Sequence, residues 1–112
     1  MTDNQSKGIL SAVGLCRKAG KLIIGTDAVC DALKTRRVLL VFASDGASDN
    51  TKKRLCDKCT FYKTEIHFAD ISPDDLGAAI GKGPTACVGI TDENFKKLIE
   101  SKLIQQTKGR DS

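Results

Sequence analysis

The chain predicts an α/β fold, a three-layer α/β/α sandwich around a small central mixed sheet, with all 112 residues in a single domain. Segments with helical spacing of apolar residues alternate with short apolar runs, which is the pattern of helices that alternate with strands. Residues 38–43 are apolar without a break, as expected for a strand that is covered on both faces. No internal repeat or linker interrupts this alternation.

The first helices are predicted from the spacing of apolar residues and from the residues that typically begin or end a helix. Residues 6–19 carry apolar side chains at three- and four-residue intervals, and Gly20 is placed to end that helix. Residues 21–24 form a short extended segment. Thr26 is the expected N-cap of a second helix, because a hydroxyl can accept a hydrogen bond from a first-turn amide.

The middle of the chain repeats the pattern with clearer helix starts. Ser48 or Asp49 is expected to cap a third helix, and residues 65–68 alternate like a strand. Ser72 and Pro73 then predict a fourth helix. They supply a hydroxyl cap and a proline at the first helical position, and two aspartates follow near the positive end of the helix dipole.

The last quarter of the chain predicts one more strand and one more helix. Residues 86–90 form an apolar strand, and residues 91–93 start a helix whose apolar side chains point inward. The tail from about Gln105 is polar and is expected to fray.

The composition favours a small cytoplasmic protein with a polyanionic partner. The net charge is +4, which suits such a partner without requiring one. With no Trp, one Tyr and four Phe, the chain is poor in the rings that single-stranded nucleic acids stack on. The amino terminus is polar and no apolar stretch reaches about 18 residues, so we expect no membrane span and a cytoplasmic location.

The sequence contains one segment that partly matches a phosphate-binding P-loop. Gly14 and Gly20 are separated by five residues instead of four, and Leu22 stands where the motif needs a hydroxyl for magnesium. The segment also lies on a helix and its end, whereas the motif follows a strand. A P-loop is therefore not predicted.

Cys56 and Cys59 form a C-x-x-C pair, which is typical of redox or metal sites. Redox pairs lie at a helix N-terminus, where the dipole stabilises a thiolate, but this pair is expected near the end of its helix. A structural zinc site needs four ligands, and the other three cysteines are isolated in different elements. We expect reduced thiols in the core; a thiol-redox or metal protein remains an alternative. His67 is the only histidine and lacks a nucleophile partner, so no catalytic residue and no metal ligand are predicted.

Two segments, residues 18–29 and 75–84, together with the order of elements resemble the ribosomal L7Ae/L30e family. Residues 47–53 and 57–59 are similar to its bacterial YlxQ-like branch, and the likeness covers residues 6–101. The resemblance implies a non-catalytic protein that binds kink-turns, which are bent RNA duplexes with sheared guanine–adenine pairs. It implies ribosomal or ribonucleoprotein RNA as the partner, possible contacts with ribosomal proteins, no small-molecule substrate and no cofactor.

The resemblance also indicates which residues bind RNA. Gly25 would let RNA approach the backbone, and the helix that follows would offer free amides and its positive dipole end to phosphate. Lys18 and Lys21 would add charge before it, with Lys21 on a phosphate and Asp27 accepting from a guanine edge. The loop at 80–84 would pack against a flipped-out nucleotide. The candidate RNA-binding residues are Lys18, Lys21, Gly25, Thr26, Asp27, Ile80, Gly81, Lys82, Gly83 and Pro84.

Three positions depart from the family pattern and support a second hypothesis. Asp27 and Ala28 stand where the family commonly has Asn-Glu, and Asp31 stands where a lysine is frequent. An aspartate repels phosphate and an alanine makes no polar contact, so these changes favour a protein-interaction module with weak or lost RNA binding. A continuous positive face around Gly25 would favour RNA, and an apolar patch would favour a protein partner.

Overall fold

The structure, a computed structural model, describes the backbone of residues 3–111 and the side chains of residues 7–103. Five helices and four strands alternate along this part of the chain. In order they are α1 (Asp3–Lys18), β1 (Leu22–Ile24), α2 (Thr26–Lys34), β2 (Leu40–Ser44), α3 (Asp49–Tyr62), β3 (Glu65–Ala69), α4 (Pro73–Ala79), β4 (Cys87–Ile90) and α5 (Glu93–Asp111).

The four strands form one mixed sheet in the order β1-β4-β2-β3. β4 pairs antiparallel with both β1 and β2, whereas β2 and β3 are parallel. The two strands that the apolar runs predict as central, β2 and β4, occupy the two inner positions. The predicted mixed sheet is confirmed.

Helices cover both faces of this sheet, and β2 shows how one strand serves two cores. Leu40 and Phe42 belong to a core formed with α1, α4 and α5. Val41 and Ala43 belong to a second core, formed with α2 and α3. Since successive side chains of a strand point to opposite faces, one unbroken apolar run fills both cores. The predicted three-layer α/β/α sandwich is confirmed.

Three helices begin where short polar side chains cap them. Ser48 Oγ accepts a hydrogen bond from the Thr51 amide at 3.2 Å, and Ser72 Oγ accepts one from the Asp75 amide at 3.0 Å. Asp92 accepts from two amides of the first turn of α5, at 3.0 and 3.1 Å. The Ser48 and Ser72 caps are those expected from the sequence, and all three caps satisfy amides that lack a partner inside the helix.

The central strand and the first helix begin elsewhere than predicted. β2 runs from Leu40 to Ser44 instead of 38–43, and α1 begins at Asp3 instead of Ser6. The apolar run alone could not include Ser44, which is a polar residue yet fully buried. Its hydroxyl donates to the Ile71 carbonyl at 2.5 Å and accepts from the Gly46 amide at 3.0 Å, so its burial leaves no unpaired polar atom.

The carboxyl-terminal helix also differs from the sequence prediction. α5 continues to Asp111, whereas the polar composition predicts fraying from about Gln105. The side chains of this tail lie outside the described residues. Among the helices described, none is long and apolar enough to cross a bilayer.

Candidate functional site

A cleft of about 550 Å³ opens at the end of the sheet where β1 and β2 finish and β4 begins. The turn after β1 forms one wall, and the loop between α4 and β4 forms the other. Five of the ten sequence-predicted site residues line this cleft. The lining residues are Ile24, Gly25, Thr26, Lys82, Gly83, Pro84, Thr85 and Ala86.

Gly25 forms the turn that ends β1 and starts α2. Its backbone has φ 98° and ψ 153°, a conformation that L side chains rarely adopt, so glycine is needed here. Its amide donates to the Cys87 carbonyl at 3.0 Å, and its carbonyl accepts from the Val29 amide at 2.9 Å. Gly25, and not Thr26, is therefore the N-cap of α2. The Thr26 hydroxyl instead accepts a weak hydrogen bond from Cys87 Sγ at 3.8 Å.

The start of α2 consequently lacks the side-chain cap that α3, α4 and α5 have. Within residues 3–111, the amides of Thr26, Asp27 and Ala28 have no hydrogen-bond acceptor. Such amides, together with the helix dipole, favour an anion. An absent cap thus leaves three donors for a ligand at the edge of the cleft.

The opposite wall, residues 81–86, is held against α4. The Lys82 amide donates to the Gly77 carbonyl at 2.9 Å, and the Thr85 amide donates to the Pro73 carbonyl at 3.0 Å. Gly81, with φ 71°, makes the turn that leaves α4. The anchored backbone leaves the Lys82 side chain exposed at the cleft.

Asp27 is paired with an arginine, Arg54, that no sequence pattern places in the site. Arg54 Nη1 donates to Asp27 Oδ1 at 2.7 Å, and this hydrogen bond raises the pKa of Arg54. The two residues are 27 positions apart and lie on different helices, so no local pattern signals the contact. The repulsion that Asp27 exerts on a phosphate is therefore partly offset by a neighbouring cation.

Lys18 and Lys21 are not at the cleft, contrary to the sequence prediction. The Lys21 carbonyl accepts from the Thr91 amide at 3.0 Å, which places Lys21 at the opposite end of β1 from Gly25. Four residue steps along extended chain separate the two Cα atoms by roughly 13 Å. Lys18, in the last turn of α1, lies on that far side too, since Cys16 Sγ donates to the Lys21 carbonyl at 3.2 Å.

Ile80 does not fit the role that the sequence suggests for it. Its side chain is only 4% exposed and packs in the core with α1 and α4, so it cannot stack on a nucleotide in this conformation. The loop's exposed apolar residue is Pro84. Helix α4 ends at Ala79 and Ile80 is its C-cap, so the apolar face of this short helix continues into the buried Ile80 side chain.

The cysteines are free thiols placed mainly in the cores. Cys59 is buried and Cys56 is half-buried on α3, as expected for the inner face of a helix. Burial raises the pKa of Cys59 to about 12, and burial likewise raises those of Cys16 and Cys87 to about 11. A thiol held protonated in this way is a poor nucleophile. Within the described part of the chain, no three His, Cys, Asp or Glu side chains are grouped to hold a metal.

We expect these buried thiols to make stability fall at alkaline pH. Unfolded cysteine loses its proton near pH 8.5, whereas the native thiols keep theirs until about 11 to 12. Below the unfolded pKa the full stability is present, and above it ionisation favours the unfolded chain. Each thiol then removes up to about 1.4 kcal/mol per pH unit.

Urea denaturation between about pH 8 and 10 measures this loss. Cys59→Ala should make the decline with pH shallower. Val29→Ala, which truncates an equally buried side chain that does not ionise, should lower stability at every pH and leave the decline unchanged. Parallel declines in the two variants would contradict the expectation.

Comparisons with known proteins agree with this fold. The model of the ribosomal protein L7Ae/L30e/S12e/Gadd45 family matches residues 7–100. The RNA-binding protein YlxQ of Bacillus subtilis is 35% identical over 91 residues, which cover 81% of this chain and 90% of that protein. The large ribosomal subunit protein eL30 of Trypanosoma brucei brucei is 35% identical over 85 residues, covering 75% and 81%.

A solved structure gives the same result at the level of the fold. A Bacillus halodurans protein described as having unknown function superimposes with a TM-score of 0.78 and 33% identity, over 84% of this chain and 94% of that one. The non-catalytic function expected from the sequence agrees with the family match and with the names of the two curated relatives, an RNA-binding protein and a ribosomal protein. With a family match over most of its length and relatives above 30% identity, this chain belongs to the ribosomal protein L7Ae/L30e/S12e/Gadd45 family.

Proposed function

We propose that this protein binds structured RNA of the kink-turn type through the cleft between the Gly25 turn and the 81–86 loop. It does so without catalysis, as a cytoplasmic component or partner of a ribonucleoprotein, with ribosomal RNA as the first candidate. The names of its relatives, an RNA-binding protein and a large-subunit ribosomal protein, support this proposal.

The observation that carries the proposal is the meeting of an uncapped helix start with a basic loop. The start of α2, where three amides are free, and the exposed ammonium of Lys82 meet at one cleft, which Gly25 and Thr26 line. Both groups favour phosphate, the amides through the helix dipole and the lysine through its charge. Gly25 and Gly83 carry no side chain, so an RNA backbone can come close to the protein there.

The remaining groups at the cleft can read features of the nucleotide. Thr26 and the Asp27–Arg54 pair present hydroxyl, carboxylate and guanidinium groups at the first turn of α2. A carboxylate accepts from the donor edge of guanine, and a guanidinium donates to its acceptors. Pro84 supplies an apolar surface for a base displaced from the duplex, the kind of base that RNA-binding proteins commonly recognise.

The test is a titration against a kink-turn RNA and against the same RNA with its sheared pairs replaced by Watson–Crick pairs. We expect the wild-type protein to prefer the kink-turn. Lys82→Ala should weaken binding and lower the slope of log affinity against log salt by about one unit, because one fewer counterion is released.

Lys97→Ala is the matched control for this titration. Lys97 is exposed on α5, which begins at the other end of β4 from the cleft. Its substitution changes the net charge by the same amount as Lys82→Ala does, but away from the cleft. We expect the kink-turn preference and the salt slope to stay as in the wild type. A protein that binds both RNAs equally, or a Lys82→Ala slope equal to that of the control, would refute the proposal.

A protein partner is the second candidate, and one observation favours it. Phe61 is 75% exposed at the end of a shallow groove along α3, a groove of about 680 Å³ that Lys53 and Lys58 also line. Around Gly25, moreover, the positive charge is interrupted by Asp27. If the kink-turn preference is absent, the protein-interaction hypothesis takes first place.

A further inference from the structure

Five cationic side chains gather at the end of the sheet opposite the cleft. Three pairings place the segments before β1, β2 and β3 at the end of the sheet where β4 finishes. The Thr91 amide donates to the Lys21 carbonyl at 3.0 Å, the Leu39 amide donates to the Ile90 carbonyl at 2.8 Å, and β3 begins opposite the start of β2. We call this group the basic pole; it consists of Lys18, Lys21, Arg36, Arg37 and Lys63.

The basic pole extends across the whole width of the sheet. Lys21 precedes β1, Arg36 and Arg37 precede β2, and Lys63 precedes β3. β1 and β3 are the two edge strands, three strand spacings apart. At about 4.8 Å per spacing, the charges span roughly 14 Å, a length over which a nucleic-acid duplex presents several phosphates.

These five cations are available to a ligand. All are exposed, and none forms an ion pair or a side-chain hydrogen bond within residues 7–103. The carboxylates at this end are fewer: Asp31, Glu65, Asp92 and Glu93, and Asp31 is paired with Lys34 at 3.8 Å. Glu65 is already approached by Lys96 at 3.9 Å and by His67 at 3.3 Å, and Asp92 is engaged as the cap of α5.

Helix stabilisation does not account for the pole. Cations in the last turn of a helix interact favourably with the helix dipole, and Lys18 has that position in α1. Lys21 and Arg37, however, lie outside the helices. Arg36 and Lys63 have φ 58° and 57°, the left-handed conformation that favours glycine or asparagine after a helix. The chain therefore has long cationic side chains at two positions where glycine would relieve strain.

The two ends of the sheet differ in charge. Exposed aspartates are concentrated at the cleft end, where α3 and α4 begin and where β2 and β3 finish. Two of them are engaged by cations, Asp45 by Lys52 at 3.1 Å and Asp27 by Arg54 at 2.7 Å. The other exposed aspartates at that end are Asp49, Asp70, Asp74 and Asp75. A long polyanion is accordingly attracted more strongly to the basic pole than to the cleft end.

We propose that the basic pole is a second RNA-binding surface, which holds the phosphate backbone of an RNA duplex without reading its sequence. The pole and the cleft lie at opposite ends of β1 and β4, so one molecule of protein can hold two RNA segments at once. This inference goes beyond the kink-turn function, because the pole would bind the phosphates of any RNA duplex and does not require a kink-turn.

The first test is a titration of a straight RNA duplex at several salt concentrations. Lys21→Gln/Arg37→Gln removes two charges of the pole and should lower the slope of log affinity against log salt by about two units. Lys7→Gln/Lys102→Gln removes the same charge elsewhere, on α1 and α5, and should keep the wild-type slope. Lys7 is exposed on α1, roughly 16 Å along the helix from Lys18.

The second test asks whether both RNAs are bound together. Protein saturated with a kink-turn RNA is mixed with the labelled straight duplex, and the complex is sized by analytical sedimentation. We expect a ternary complex for the wild type and for Lys7→Gln/Lys102→Gln, and its loss for Lys21→Gln/Arg37→Gln.

The outcomes separate the two proposals. If the straight duplex binds through the pole while no kink-turn preference is found, the pole is supported and the cleft function fails. If both double variants bind the straight duplex equally, the pole is overturned, whatever the kink-turn titration gives. Tighter binding to phosphatidylserine vesicles than to the duplex would also overturn it, in favour of a membrane surface.

Discussion

Replacing Gly77 with alanine is expected to lower the free energy of unfolding by about 3 kcal/mol, the upper part of the usual range for overpacking. Gly77 is buried on α4, and a Cβ there would overlap the backbone of Gly83 and press on the Lys82 carbonyl. Because the obstacle is backbone and not a flexible side chain, the loop at 81–86 must move. Urea denaturation measures the change.

Gly83→Ala is the matched control for this substitution. A Cβ on Gly83 meets no atom within 4 Å, and its backbone is not left-handed. Stability should therefore change by no more than about 0.5 kcal/mol. Equal stabilities for the two variants would show that the loop does not depend on its contact with α4. If the proposed function holds, Gly77→Ala should also weaken kink-turn binding, because it displaces Lys82.

Asp27→Asn is expected to tighten binding to a kink-turn RNA by about tenfold, which corresponds to about 1.4 kcal/mol. The substitution removes a negative charge at the start of α2, supplies a hydrogen-bond donor and releases the Arg54 guanidinium for phosphate or guanine. Asp27 is 88% exposed in its pair with Arg54, so losing the pair should cost the free protein little stability. The measurements are kink-turn affinity and the thermal midpoint.

Asp70→Asn separates this local effect from the change in net charge. Asp70 is exposed and follows β3, at the edge of the sheet farthest from Gly25. We expect little change in kink-turn affinity from it. If Asp70→Asn tightens binding as much as Asp27→Asn does, only net charge matters. If Asp27→Asn has no effect at all, the first turn of α2 does not contact the RNA.

The fold could be predicted largely from sequence because its signals are local. The unbroken apolar run at 38–43 indicates a strand with two covered faces, and Ser72 before Pro73 indicates a helix start, and both signals operate over a few residues. Ser44 is the instructive exception. Its burial depends on partners at Ile71 and Gly46, and the distant one, Ile71, comes close only in the folded sheet.

The site was predicted less completely because distance along the chain does not give distance in the fold. Lys21 and Gly25 are close in the chain, yet the three residues of β1 carry them to opposite ends of the sheet. Arg54 and Asp27 are distant in the chain, yet neighbouring helices bring them to 2.7 Å. Closeness in the sequence therefore wrongly suggested that Lys21 lies beside Gly25, and it gave no sign that Arg54 lies beside Asp27.

The place of β4 between β1 and β2 bears on how the chain folds as it leaves the ribosome. β1 has β4 as its only partner in the sheet of the described chain, and the Gly25 turn depends on a hydrogen bond to Cys87. The parallel pair β2 and β3 can meet early, but β1 stays unpaired until the last quarter of the chain emerges. Such non-local pairing slows folding and leaves a strand edge exposed meanwhile. The cleft therefore forms late in synthesis, so a nascent chain gains the proposed RNA-binding surface only when the sheet is complete.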